Sequence, residues 1–247
     1  MALLDPILGP LLRLPPILAI FLIAATISLA ITLVYKYTTD QERMRHLKKK
    51  VKSYQEKMRK VRDDPQQLLK LQKEAMSYNM ELMKHSFKPT LYTLIPIIII
   101  FGWLNAHMAY MNIAPQEEFT VQAFPRGDGV RISLTTAPPG LELLSDAEQT
   151  EGYLWKLKGE AGEYKITLSP EGGDPVEKVV LVTTERAYEP PSATFKEGPI
   201  ERVVVSNKPV KPLGHISLLG WRPGWLGTYI LLSIIMSILF RKLLGVV

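Results

Sequence analysis

Three stretches of this chain run almost without charge for the length a helix needs to cross a lipid bilayer: Pro16 to Tyr35, Leu91 to Met111, and Trp225 to Phe240 with its flanks. A hydrocarbon core takes about 20 residues at about 1.5 Å rise per residue. No water is present there to bond the backbone, so each run is read as a helix that satisfies its own N–H and C=O groups.

Charge orients the spans. Only Arg13 precedes the first run, Asp5 opposes it, and Lys36, Arg43 and Arg45 follow. That polarity is the reverse of a cleaved signal peptide and predicts a retained anchor with its N-terminus outside. Lys36 to Lys88 holds 15 basic and 7 acidic residues, whereas Asn112 to His215 holds 11 basic and 16 acidic. Lys and Arg beside spans are retained on the cytoplasmic face, so the arm between the first two runs is expected inside and the insert outside. Arg241 and Lys242 then end inside. The expectation is a multi-pass protein of the plasma membrane with a cytoplasmic C-terminus. Trp221, Trp225 and Tyr229 open the third run, and Trp103 and Tyr110 mark the outer part of the second, as amphipathic rings at an interface do.

In the arm, Met44, Leu47, Val51, Tyr54, Met58 and Val61 alternate spacings of three and four, a coiled-coil seam. Asp63, Asp64 and Pro65 interrupt it. Asp64 suits an N-cap and Pro65 the first helical position, where its missing N–H has no intrahelical partner, so a hairpin is predicted. Its second helix carries two stripes: Leu68, Leu71, Ala75, Tyr78 and Leu82, and beside them Leu69, Met76, Met80, Met83 and Phe87. Either both bury within the hairpin, or the second is an adaptable surface for apolar clients, for which unbranched, polarisable methionine is suited. The basic run Arg43, Arg45, Lys48, Lys49, Lys50, Lys52, Lys57, Arg59, Lys60 and Arg62 is either a solvated face or a contact for anionic lipid or ribosomal RNA. Its aromatic content, Tyr54 alone on the seam, does not argue for base-specific recognition, and DNA is not expected as a partner.

Hydroxyl residues concentrate in the cytoplasmic halves of the spans: Ser28 and Thr32, Thr90 and Thr93, Ser233 and Ser237. The first and last pairs are spaced i,i+4 and so share a helical face. They line an inward-open hydrophilic groove, or they let helices approach closely and bond backbone carbonyls. Pro96 removes a backbone bond from the second span. The chain has no cysteine, and His46, His85, His107 and His215 are scattered. No disulfide framework or metal-ligand spacing arises, no Gly-rich nucleotide loop is present, and the spans hold no carboxylate. Neither a cofactor nor an enzymatic activity is expected.

From Asn112 to His215 the texture changes to short runs of β type: Phe119 to Phe124, Val130 to Thr135, Tyr153 to Leu157, Tyr164 to Leu168, Val179 to Thr184 and Val203 to Val205. Six or seven such strands in about 100 residues predict a small sandwich. Gly159 to Tyr164 is similar to the turn that leads into a tyrosine corner, with Ile166 at the position of an immunoglobulin cysteine. The Pro-rich stretches at Tyr188 to Ser192 and Lys208 to Pro212 read as rim loops or a stiff linker. No Ser/His/Asp set marks an outer active site.

The fold class expected is therefore an α-helical membrane protein: three transmembrane helices, a cytoplasmic antiparallel coiled-coil hairpin between the first two, and an extracytoplasmic all-β, sandwich-like insert between the second and third. The segments are 1–36 for the N-terminus and first span, 37–88 for the hairpin, 89–111 for the second span, 112–217 for the β-rich domain, and 218–247 for the third span and tail.

This order resembles the archaeal YidC-like proteins of the YidC/Oxa/Alb superfamily of membrane protein insertases. The resemblance rests on Ser86-Phe87-Lys88-Pro89-Thr90-Leu91 running to Ile100-Phe101-Gly102-Trp103-Leu104, and on Trp225-Leu226-Gly227-Thr228-Tyr229 running to Phe240-Arg241-Lys242-Leu243-Leu244-Gly245. It covers residues 1–111 and 217–247 and leaves the β-rich insert outside. It implies an inward-facing hydrophilic groove, here Ser28, Thr32, Thr90, Thr93, Ser233 and Ser237, through which nascent hydrophobic segments pass from the cytoplasm into the bilayer. It also implies client or ribosome contact on the arm, at Lys48, Lys49, Lys50, Arg59, Lys60, Met76, Met80 and Met83. Nascent membrane proteins, the ribosome and the lipid bilayer are the partners implied, with the Sec translocon a further candidate. Bacterial relatives place an arginine in the groove; here Arg13 lies before the first span and Lys36 at its inner end. The competing reading is a structural or assembly subunit of a larger membrane complex.

Overall fold

The computed structural model describes residues 4–61, 64–127, 129–149, 152–217 and 220–246. Arg62 and Asp63 of the expected hairpin turn, and the first two residues of the 218–247 segment, lie outside these. In chain order come a short helix α1 (Asp5–Leu8), a 3-10 turn (Gly9–Arg13), α2 (Pro16–Thr38), α3 (Gln41–Lys60), α4 (Pro65–Met108), eight strands, and α5 (Trp225–Leu244). The strands are β1 (Phe119–Pro125), β2 (Ile132–Ala137), β3 (Leu141–Gln149), β4 (Gly152–Gly159), β5 (Gly162–Pro170), β6 (Val176–Val182), β7 (Ser192–Thr194) and β8 (Ile200–Val205). The chain divides into two compact units, Ile17–Phe101 with Leu226–Val247, and Met1–Pro16 with Gly102–Trp225.

In the helical unit, α3 starts where Asp40 accepts the Arg43 N–H at 2.9 Å. Glu42 in its first turn and Lys57, Arg59 and Lys60 in its last match the helix dipole. The α4 cap is Asp64, whose Oδ1 accepts from the N–H groups of Gln66 at 3.1 Å and Gln67 at 3.0 Å, directly before Pro65. The arm's second helix and the second span are a single helix of 44 residues that continues through Pro89 and Pro96. Thr90 and Thr93 donate their hydroxyls to the carbonyls of Ser86 and Pro89, at 2.9 and 3.2 Å.

Helix α3 folds back along α4. Met44, Leu47 and Val51 are buried, the rings of Tyr54 and Tyr78 stack at 5.5 Å, and the Arg43 guanidinium holds Glu81 Oε1 at 2.6 and 2.9 Å. A hydrogen bond from the Tyr54 hydroxyl to the Glu74 carboxylate pushes that phenol up to about 12.

In the other unit the strands form a five-stranded sheet, β3-β4-β1-β8-β7, and a three-stranded sheet, β2-β5-β6. All named pairings are antiparallel. Their inner faces meet in one core, with Val121, Trp155, Leu157 and Val203 from the first sheet and Ile166, Leu168 and Val180 from the second. Tyr164, buried in that core, donates its hydroxyl to the Glu160 carbonyl at 3.1 Å, four residues upstream, and Ile166 is fully buried.

Two strands differ from the expectation. β3 carries three acidic residues and a bulge between Leu143 and Ser145 that breaks its alternation. β7 is three residues long behind Pro190 and Pro191. Pairing with β4 and β8 holds them in place, and neither has a period that reads as a strand on its own.

This unit also takes in the N-terminus and the end of α4. Trp103 is buried and its Nε1 donates to Asp5 Oδ1 at 2.7 Å, with the His107 ring stacked on it at 4.5 Å. Arg186 donates to the Leu14 carbonyl at 2.8 Å. The Tyr188 hydroxyl accepts the Ala109 N–H at 3.0 Å and donates to the Asn105 carbonyl. Burial pushes its phenol up.

Candidate functional site

Helical periodicity sets the site. Ser233, Ser237 and Arg241 follow at i, i+4 and i+8 on α5, and Ser28, Ile31 and Tyr35 at i, i+3 and i+7 on α2, so each set lies along one stripe. The stripes border a depression of about 390 Å³ lined by Ser28, Ile31, Tyr229, Ser233, Ser237 and Arg241, with Ile234 and Ile238. A second depression of about 360 Å³ is lined by Ile31, Tyr35, Lys48, Thr90, Thr93 and Arg241, among others. Ile31 and Arg241 line both. Hydroxyls from three separate helices, Thr32 excepted, therefore line two depressions that share Arg241.

The individual hydroxyls differ. Ser28 Oγ donates to the Ser233 carbonyl at 3.3 Å, tying α2 to α5. Ser233 Oγ donates to the Ile230 carbonyl at 2.9 Å. Thr93 is shared between the Pro89 and Thr90 carbonyls, at 3.2 and 3.1 Å. Thr32 is buried, its Oγ1 donates to the Ser28 carbonyl at 2.7 Å, and it is not among the residues that line either depression. For Thr32 the close-packing role expected of a small hydroxyl residue describes what is seen.

The sequence reads Arg241 as an orienting charge past the third span and as part of the Phe240 to Gly245 motif, not as a lining residue. It lies within α5, its guanidinium 5.3 Å from the centroid of the Tyr35 ring, in cation–π range. The Tyr35 hydroxyl reaches Ser86 Oγ at 3.4 Å. The lining cation is thus Arg241, joined by Lys48 in the second depression, rather than Arg13 or Lys36. The signal was available in the i,i+4 step from Ser237, and the end of the hydrophobic run at Phe240 concealed it.

On the arm, Lys48, Lys49, Lys50, Arg59 and Lys60 are exposed. The two stripes of α4 part company. Leu68, Leu71, Tyr78 and Leu82 are half-buried and Ala75 buried, whereas Leu69, Met76, Met80, Met83 and Phe87 are exposed. The reading in which both stripes bury is thereby corrected: the single helix α3 is wide enough to cover one stripe and not two. Met76 and Met80 line a depression of about 550 Å³ with Lys73, Ser77, Glu81 and Lys84.

Helices long and apolar enough to cross a membrane at Pro16–Thr38, Pro89–Met108 and Trp225–Leu244, with hydroxyl and cationic groups turned to one place, define an integral membrane protein. The chain belongs to the family of EMC3/TMCO1-like integral membrane proteins, whose family model matches residues 2–125. That family falls within the Oxa1/YidC/Alb3/TMCO1 insertase-related superfamily. The matched half takes in the first span, the arm and the second span; the third span lies outside it. No curated protein and no solved structure matches the chain.

Proposed function

We propose that this protein is a non-enzymatic membrane protein insertase or chaperone of YidC-like type. It receives nascent hydrophobic segments on the cytoplasmic side and passes them into the bilayer past the hydroxyl-lined depressions. The observation that carries this reading is that Ser28, Ser233 and Ser237, and Thr90 and Thr93, line two depressions that share Arg241, along spans that are otherwise largely apolar. A polar flank crossing hydrocarbon unaided loses its hydration at a cost of several kcal/mol (roughly 2–7 per group). Hydroxyls and the cations Arg241 and Lys48 lower that cost, and burial of the client's apolar surface, at about 25 cal/mol per Å², supplies the drive without nucleotide. In this reading the arm faces the cytoplasm, where its lysines meet the ribosome and Met76, Met80 and Met83 hold the client, and the β unit lies outside. The Sec translocon is a further partner.

A photo-crosslinking amino acid at Thr93 or Ser237, with Leu22 as control, tests this during translation of a single-span client beside membranes that contain the protein. Crosslinks at the two polar sites and not at Leu22, weakened by R241A for clients with acidic flanks, are expected. Silence at both sites, with client insertion unchanged when the protein is removed, overturns the reading in favour of a structural or assembly subunit.

A further inference from the structure

Two sheets in one unit leave four strand edges, and an edge is a row of unpaired N–H and C=O groups that invites another strand. Three of the four are blunted. β7 is only three residues long. β3 carries its bulge and the charges of Glu142 and Asp146. β6 turns Lys178 inward on the face that buries Val180 and Val182, with Nζ donating to the Val179 carbonyl at 2.7 Å. Beside it Ile113 bridges Val182 and accepts the Thr183 N–H at 2.9 Å. A lysine that points inward is held within its own sheet and penalises a strand added at that edge.

The fourth edge, β2, has none of these devices. Ile132 to Ala137 reads Ile-Ser-Leu-Thr-Thr-Ala, in unbroken register with β5 and without charge, proline, glycine or bulge. Glu171 donates its N–H to the Arg131 carbonyl at 2.8 Å. The antiparallel alternation that follows spends the backbone groups of Ser133, Thr135 and Ala137 on β5 and turns those of Ile132, Leu134 and Thr136 to the free side. Among the described residues no backbone hydrogen bond joins these three to another segment.

We propose that the β2 edge pairs antiparallel with the β2 edge of a second copy of this chain, making the two three-stranded sheets continuous. A two-fold axis at Leu134 sets Leu134 against its mate and Ile132 against Thr136 on the inner face, with about six backbone hydrogen bonds. On the exposed face Ser133 meets Thr135, hydroxyl against hydroxyl, a favourable cross-strand pair. Arg131 falls opposite Ala137. No charge meets its own kind across the axis. A two-fold interface must be complementary to itself, and an uncharged edge meets that condition where the charged edge of β3 does not. This self-complementarity singles out a second copy over a foreign strand.

The chain has no cysteine, so S133C and T135C forms with different tags, co-expressed in one membrane, report the register. Residues 133 and 135 of the two copies form a non-hydrogen-bonded pair, with Cα atoms about 4.5 Å apart and within disulfide reach. The mixed pair is expected to oxidise to a species of twice the 27.9 kDa chain mass, at least fivefold more than either form alone. The double variant S133K/T135K, at two exposed positions, sets lysine against lysine at both outer pairs. It is expected to raise the dimer dissociation constant at least tenfold, with the melting temperature unchanged when both proteins are read at a dilution where wild type is monomeric; if it does not fold, the mixed-cysteine result decides. A monomeric wild type at micromolar concentration, equal yields from single and mixed cysteine forms, or a product of another mass, which marks a foreign strand, overturns the proposal.

Discussion

Replacing Met76, Met80 and Met83 together by glutamine separates a binding surface from a packing surface. The three side chains are 63, 47 and 58% exposed, so folding has left roughly half of each in water. Burying a methionine side chain fully is worth about 1.5–3 kcal/mol, and a client that covers the exposed half gains about 1 kcal/mol from each. The triple variant M76Q/M80Q/M83Q is therefore expected to weaken client capture by about 3 kcal/mol, two orders of magnitude in affinity. Glutamine keeps the length and the helix propensity of methionine, and surface changes of this kind move stability by about 0.5 kcal/mol or less each. The assay is the affinity of purified protein in nanodiscs for stalled ribosomes that expose a fluorescent apolar segment, read beside the melting temperature. Unchanged affinity refutes the reasoning. So does a drop in melting temperature that accounts for the lost binding, because the stripe is then packing.

Tyr188→Phe removes the acceptor of the buried Ala109 N–H; a cost of about 1–3 kcal/mol is expected, seen in chemical denaturation. Ile166→Ala, at a fully buried position between the sheets, is expected to cost about 2–5 kcal/mol, read by chemical denaturation. The Lys208 ammonium at 2.7 Å, and then the Ala114 N–H, hold the Glu117 carboxyl below its ordinary 4.5. A depressed carboxylate stabilises the folded state above its unfolded pKa and loses that contribution as pH falls through its folded pKa. E117Q is thus expected to melt below wild type at neutral pH, and the difference to shrink as pH is lowered past about 4.5; a pH-independent difference contradicts this.

Features that depend on neighbours in sequence were legible before any coordinates. The three spans follow from run length against bilayer thickness, the two arm helices from a seam of three and four and from the cap at Asp64, and the tyrosine corner from the turn before Tyr164. Each is a local rule, in which residues within a turn or two set the outcome. The hydroxyl pairs on α2 and α5 were visible for the same reason, since i,i+4 spacing fixes a common face.

What the tertiary structure decided depends on residues far apart in the chain. That Ser28 meets the Ser233 carbonyl, 205 positions away, while Thr32 four residues on is buried against its own helix, is set by how α2 packs and not by spacing. Which methionines stay in water follows from the width of the one helix laid beside them. That Arg241 belongs to the site follows from Tyr35 being brought beneath its guanidinium. β3 and β7 exist because β4 and β8 offer them backbone partners, and β2 is an edge only because of the order in which the sheet was assembled. Periodicity says which face a residue occupies, and packing alone says what that face meets.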